Sequence, residues 1–368
     1  MSSLELKHSL RKMDYADSVK ETLNRIENFI TTRNKLDVAM DLIAEIIFLE
    51  KSKEVDVRKT GFQQGPNLSL IQEFQLVIVL SEFFSHPGPD ATRNAVFLSL
   101  FGGNITPGRT SVLVKLISVS ISVAIPPLLC AAGTWMQQLG CTSGPSCELV
   151  QCLIKDFIIF SKITSEQLKQ LPLVAPRFAA NFMTTVADLY LNDLKSEVLV
   201  APPDMILELF TEWITDNPSL CLAAQQTLAL PTGAIAMPSS TPISGLIRWS
   251  VLAPIINQKG IYNRLHLALL ETLLQIPSSS GPATALNAQH LAQVVNPLKN
   301  HARKLILENI DPESDENYQI SLERYAQATQ IALASKCIYG NIPQLLCLLE
   351  TLPNNNLMSI IIKTNKNL

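Results

Sequence analysis

Two stretches of this 368-residue chain carry neither a charged residue nor a histidine: Leu116 to Cys147, 32 residues, and Asn217 to Ile247, 31 residues. A membrane-spanning helix needs about 20 consecutive, mainly apolar residues. Pro126 and Pro127 cut the first run, and Ser118, Ser120 and Ser122 dilute it; Pro218, Pro231, Pro238 and Pro242 interrupt the second. Neither reads as a membrane span. Both runs are therefore expected to be buried in the fold or covered by something other than this chain.

The chain is 47% hydrophobic and 17% charged, against about 25% charged in ordinary soluble domains. Little charge is left to coat a free surface, which points to a protein that works in company. The 29 basic and 32 acidic residues give a net charge of -3, so no chain-wide field would attract nucleic acid or an anionic membrane. Met1 to Asp14 lacks the apolar run and cleavage site of a secretory signal, and a cytosolic or nuclear location is expected. Cys130, Cys221, Cys337 and Cys347 sit in Leu/Ala-rich helical segments and read as reduced core thiols. Cys141, Cys147 and Cys152 have neither zinc-finger spacing nor a nearby histidine, so neither metal nor cofactor is expected.

Periodicity predicts an all-α fold. Pro202-Pro203 followed by Asp204 starts a helix in which Ile206, Leu209, Phe210, Trp213 and Ile214 share one face. Pro176 opens another, with Ala179, Phe182, Met183, Val186, Leu189 and Tyr190 in one stripe; Leu322, Tyr325, Ala326, Thr329, Ala332 and Leu333 form a third. Between Tyr262 and Ile276 the residues Leu265, Leu269, Thr272, Leu273 and Ile276 make one apolar face, while Leu267, Leu270 and Leu274 make a second, so that helix is expected to be covered on two sides. Many such helices joined by short turns predict a HEAT- or armadillo-like helical-repeat array, an α-solenoid, with a compact irregular helical domain as the alternative. Ile117, Val119, Ile121, Val123 and Ile125 alternate as a strand would; with helices on both sides and no strand to pair with, a buried helix is favoured. Lys51 to Asn67, Pro231 to Gly245, Pro277 to Pro282 and Asp311 to Asn317 read as loops. The expected organisation is an N-terminal helical block over 1–230, a division at 231–245 and a C-terminal block over 246–368.

Catalytic patterns are weak. Gly103-Asn-Ile-Thr-Pro-Gly108-Arg109-Thr110 approaches a phosphate-binding loop, in which Gly-rich backbone cradles phosphates and Thr110 would hold magnesium. Arg109 stands where the compact lysine ammonium belongs, and no partner carboxylate on a strand is visible. The competing reading is a helix-to-helix turn, broken by Gly102, Gly103 and Pro107 and capped by Thr110 or Ser111. His266, between Leu265 and Leu267, reads as a helix residue satisfied by a neighbour. Asp315 and Glu316 read as a solvated acidic patch. The expectation is a protein that is not an enzyme, with nucleotide binding through Gly103 to Thr110 as the alternative. A partner surface is sought instead at the end of the second uncharged run, at Ile235, Met237, Arg248 and Trp249, because Trp and Arg dominate binding energy where they occur in interfaces. Trp249 also reads as core, and Trp213 does so more firmly.

Eight blocks follow one another along the chain: Lys7-His-Ser-Leu-Arg-Lys-Met-Asp14, Ser69-Leu-Ile-Gln-Glu-Phe-Gln-Leu76, Pro176-Arg-Phe-Ala-Ala-Asn-Phe182, Pro202-Pro-Asp-Met-Ile-Leu-Glu208, Gly245-Leu-Ile-Arg-Trp249, Arg264-Leu-His-Leu267, Ser321-Leu-Glu-Arg-Tyr-Ala-Gln327 and Leu352-Pro-Asn-Asn-Asn-Leu357. Together and in this order they resemble the family of the fifteenth subunit of the Integrator complex. The resemblance implies a nuclear, non-catalytic helical-repeat scaffold. It would link the core of that complex to the module of the tenth, thirteenth and fourteenth subunits. The implied processes are small nuclear RNA 3′-end processing and early transcription termination, with RNA polymerase II an indirect partner. The basic insertion that some relatives carry after the Arg-Trp block is here only Gln258-Lys-Gly260, so the resemblance leaves import to partners.

Overall fold

The computed structural model describes residues 3–30, 32, 35–50, 68–102, 105–159, 165–192, 199–222, 241–256, 260–275 and 286–366. The all-α expectation holds: among these residues the single sheet is a two-residue parallel pairing, β1 (Leu286–Asn287) with β2 (Ile338–Tyr339). The chain forms two compact units, Met1–Phe178 and Ala179–Leu368. Most of the loop expected to divide the chain at 231–245 lies outside the described residues. Its last part does not form a loop, because a helix begins at Pro242.

The first unit contains α1 (Ser3–Leu10), α2 (Tyr15–Ile30), α3 (Leu36–Leu42) continued by a π turn, α4 (Leu70–Ser85), α5 (Asp90–Phe101), α6 (Pro107–Ser122), α7 (Pro126–Leu139), α8 (Gly144–Ile154) and α9 (Ser165–Val174). Helices two apart in sequence lie side by side, α2 on α4, α4 on α6 and α6 on α8, while α5 packs on α7 as a second layer. This is a local stacking of helical pairs, each burying the face its neighbour leaves open. The alternating segment from Ile117 is helical as far as Ser122. Leu116, Ile117, Ser120 and Ile121 are buried, at the i, i+1, i+4, i+5 spacing of one helix face. Ala124, with φ 53°, turns the chain into Pro126 at the start of α7.

The unit boundary falls in the first turn of α10 (Pro176–Leu189). The second unit continues with α11 (Asp204–Asp216), α12 (Pro218–Leu222), α13 (Pro242–Ile256), α14 (Ile261–Gln275), α15 (Ala288–Ala292), α16 (Val295–Leu307), α17 (Glu316–Ala334), α18 (Ile342–Leu349) and α19 (Asn356–Asn365). Nearly every residue of α13 from Pro242 to Pro254 is buried, as a helix apolar all round must be, and α12, α14, α15, α16 and α17 pack against it. Pro254 has no N–H for the carbonyl four residues back, and the freed Ser250 carbonyl accepts instead from Arg324 Nη1 of α17 at 2.7 Å. The stripes on α10, α11 and α17 face the core as expected, except that Leu189, Tyr190 and Leu333 at their ends are only half-buried.

Candidate partner surface

The residues that looked most like chemistry are used inside the fold. The cap of α6 is Thr106, which accepts from the Arg109 backbone N–H, with Pro107 in the first turn. Thr110 and Ser111, expected to cap, lie beyond it, and Pro107 opens α6 rather than breaking α5. Arg109 is buried. Its Nε and Nη2 donate to the two Glu50 carboxylate oxygens at 2.8 and 2.6 Å, Nη1 donates to the Leu100 carbonyl at 3.1 Å, and the guanidinium lies over the Phe48 ring. All three nitrogens of that head donate to acceptors within the fold; Gly103 and Asn104 lie outside the described residues.

Arg248 and Trp249, put forward as partner contacts, are likewise internal, for a physical reason that periodicity does not reveal. The last carbonyls of a helix have no partner within it. Those of α10 are met from α13: Arg248 Nη2 donates to the Ala187 carbonyl at 2.7 Å, and Trp249 Nε1 to the carbonyls of Ala187 and Tyr190 at 3.1 and 3.0 Å. A cation at a helix C-terminus also opposes the negative end of the helix dipole. Arg109 and Trp135 do the same for α5, donating to the Leu100 and Phe101 carbonyls. Each unit thus spends an Arg and a Trp on closing one helix end. Ile235 and Met237 lie outside the described residues.

His266 is buried between Ser250 Oγ and Gln327 Oε1, 3.3 and 2.9 Å from its ring nitrogens, a satisfied core histidine as expected. Burial, with Arg324 acting the same way, holds its pKa below the ordinary value; burial also lowers His290 and His301. At a pH near 6, unfolded histidines, with pKa about 6.5, bind protons that these folded ones do not. Stability is therefore full above that value and is lost as pH falls through the window beneath it. Thermal melts are expected to show a lower melting temperature at pH 5.5 than at pH 7.5, with His266→Gln flattening part of the slope. A melting temperature that is flat or rises toward pH 5.5 would contradict this assignment.

Cys221 and Cys337 are buried free thiols, but Cys130 and Cys347, expected in the core, are exposed: each sits on the outward side of its helix. Among the described residues no group of three or more His, Cys, Asp or Glu is placed to hold a metal ion, and no helix is long and apolar enough to cross a membrane. Asp315 is not simply solvated, since its carboxylate accepts from the Tyr318 N–H and caps α17.

The surface supplies what the interior does not. Along α4, Leu70, Ile71 and Phe74 are 82%, 72% and 67% exposed, and Ile78 continues the same face. Leu76, Val77, Val79, Leu80 and Phe84 fill the buried face, so this helix is apolar on both sides. Its register is fixed. Ser69 and Gln72 form a reciprocal capping box, which satisfies two of the helix's unpaired N–H groups. Glu73 accepts from Ser111 and Lys115 of α6. Burial alone would raise the Glu73 carboxyl, but the hydrogen bonds from Lys115 and Ser111 hold it below its ordinary value. A run of exposed apolar side chains of this kind is a candidate partner surface. On α14, which α11, α12, α13 and α17 pack against, the expected second face is covered only in part among the described residues: Leu270 is half-buried, while Leu267 and Leu274 are exposed. The sequence signal for both surfaces is the same, a helix apolar on more faces than the described residues cover.

A family model described as Integrator complex subunit 15 matches residues 4–354. A Drosophila melanogaster protein named Integrator complex subunit 15 is 51% identical over 99% of this chain and 98% of its own length. The Homo sapiens protein of that name is 28% identical, over 97% of this chain and 86% of its own.

Proposed function

The chain belongs to the Integrator complex subunit 15 family, and we propose on that premise that it is a non-catalytic scaffold subunit of the nuclear Integrator complex. In this reading it links the core of the complex to the module of the tenth, thirteenth and fourteenth subunits. It serves small nuclear RNA 3′-end processing and RNA polymerase II termination through those partners, without touching nucleic acid itself. The observation that carries the reading is the family match over nearly the whole chain. The uncovered α4 face supports it from the physical side, since an isolated chain gains nothing from presenting Leu70, Ile71 and Phe74 to water. Exposed apolar faces in each of the two units, on α4 and on α14, suit a protein with more than one neighbour.

The test is mass spectrometry of material recovered from nuclear extract with the tagged chain, beside an Ile71→Asp, Phe74→Asp variant. Burying each side chain in an interface is worth roughly 1.5–3 kcal/mol, so recovery of at least one Integrator subunit is expected to drop about ten-fold or more. The variant's melting temperature should match the wild type, because both residues are on the surface. Wild-type material without Integrator subunits defeats the reading; full recovery with the variant defeats the role given to α4.

A further inference from the structure

The corner joining α16 to α17 is built to present three apolar side chains. Val295, Leu298, Ala302 and Leu305 turn inward along α16, whereas Ile306 and Leu307 at its end are 61% and 83% exposed and Ile310 follows them into solvent. The corner is tightly made. Asn309, with φ 57°, reverses the chain; its N–H donates to the Ile306 carbonyl at 3.1 Å and that of Ile310 to the Leu305 carbonyl at 2.9 Å, the paired bonds of a Schellman helix end. Asp311 then accepts from the Glu313 N–H and Asp315 caps α17. A side chain held out by such a frame loses little freedom on binding.

Its charge is one-sided. Glu308, Asp311, Glu313, Asp315 and Glu316 place five carboxylates in nine residues, and no Lys, Arg or His occurs from 305 to 323. The nearest cations along the chain, on the last turns of α16, offset little of this. Lys304 reaches Glu308 at 3.9 Å, and Arg303 donates back toward Asn300.

We propose that this corner docks as an apolar knob into a pocket bordered by Lys and Arg side chains on another Integrator subunit. The inference rests on the scaffold reading above and adds the chemistry of one partner site. Charge decides among occupants. Two copies of the corner would set carboxylate against carboxylate, and phosphate backbones or anionic lipid would be repelled. A basic rim around an apolar pocket satisfies both halves of the corner.

A photo-crosslinking amino acid placed at position 306 of the tagged full-length chain, activated in complexes from nuclear extract, tests this. The expected cross-link lands on an Integrator subunit in a peptide where Lys or Arg flanks apolar residues. Leu307→Asp should lower its yield about ten-fold or more. Glu313→Lys should lower it at about 0.1 M salt but not at about 1 M, where charges are screened beyond about 3 Å. Cross-links to a second copy, to nucleic acid, or to a site without Lys or Arg would overturn the proposal, as would unchanged yield with Leu307→Asp in an otherwise complete complex. Absence of Integrator subunits from the wild-type material would instead bring down the scaffold reading and this inference together.

Discussion

Trp249→Ala is expected to destabilise the Ala179–Leu368 unit by about 3–5 kcal/mol, the range for removing a large aromatic from a core. The indole is fully buried, stacks on Phe210 at 6.1 Å between centroids and meets Tyr190 edge-on. Phe210 in turn packs on Trp213 and Phe182, so the cavity would open in the middle of an aromatic cluster. Collapse is obstructed nearby, because α10 and α13 already touch at Gly245, where an added Cβ would lie 2.7 Å from that of Ala187. The loss is polar as well, because the Tyr190 carbonyl keeps no other donor from α13. Trp249→Phe separates the two effects. It fills most of the volume while freeing that carbonyl, and should cost about 1–3 kcal/mol. Urea unfolding followed by circular dichroism measures both, and a loss below about 1 kcal/mol for Trp249→Ala would show that the indole is not the anchor its contacts describe.

The same residue shows how far the sequence could be read. The apolar stripes of α11 and α17 are legible because each helix keeps an exposed face, which is what a 3.6-residue period reports; that of α10 is legible because Asn181, Thr184 and Thr185, although buried, interrupt its apolar residues. The Arg-Trp block stood out as unusual, but its use did not: the carbonyls it closes lie about 60 residues away along the chain, and nothing local points at them. The periodicity of α14 predicts cover on two sides, and α4 carries the same double apolar pattern, because apolar residues on two faces look alike whether the second cover is this chain or another. Only the fold separates Leu76 and Leu80, which are buried, from Ile71 and Phe74, which are not. The alternation from Ile117 to Ile125 resembles a strand for a related reason, although the segment is helical to Ser122 as favoured. Val119 and Val123 belong to the exposed side of α6 and its end, so β-branched residues on both faces imitated a strand.

Arg109→Ala should cost the first unit about 2–4 kcal/mol. Breaking one partner out of a fully buried pair costs about 3–5 kcal/mol; Glu50, with 19% of its side chain exposed against 9% for Arg109, keeps enough water to reduce that. Without the guanidinium, the Glu50 carboxylate retains the Thr106 hydroxyl, and the Leu100 carbonyl at the end of α5 loses the Arg109 Nη1 donor. Arg109→Lys should recover less than half of the loss, since an ammonium cannot give both carboxylate oxygens a parallel pair of donors while reaching the carbonyl and covering Phe48. The double replacement Arg109→Met, Glu50→Met should be milder than Arg109→Ala alone, because it leaves no charge stranded. Chemical denaturation of the wild type, Arg109→Met, Glu50→Met and their double closes a cycle, and a double variant worse than the sum of its singles would refute the pairing as the source of the effect. A phosphate-binding arginine behaves in the opposite way: its removal leaves stability unchanged or improved and abolishes binding of ATP. The same set of proteins, titrated calorimetrically with ATP, therefore separates an internal tie at the start of α6 from a nucleotide loop.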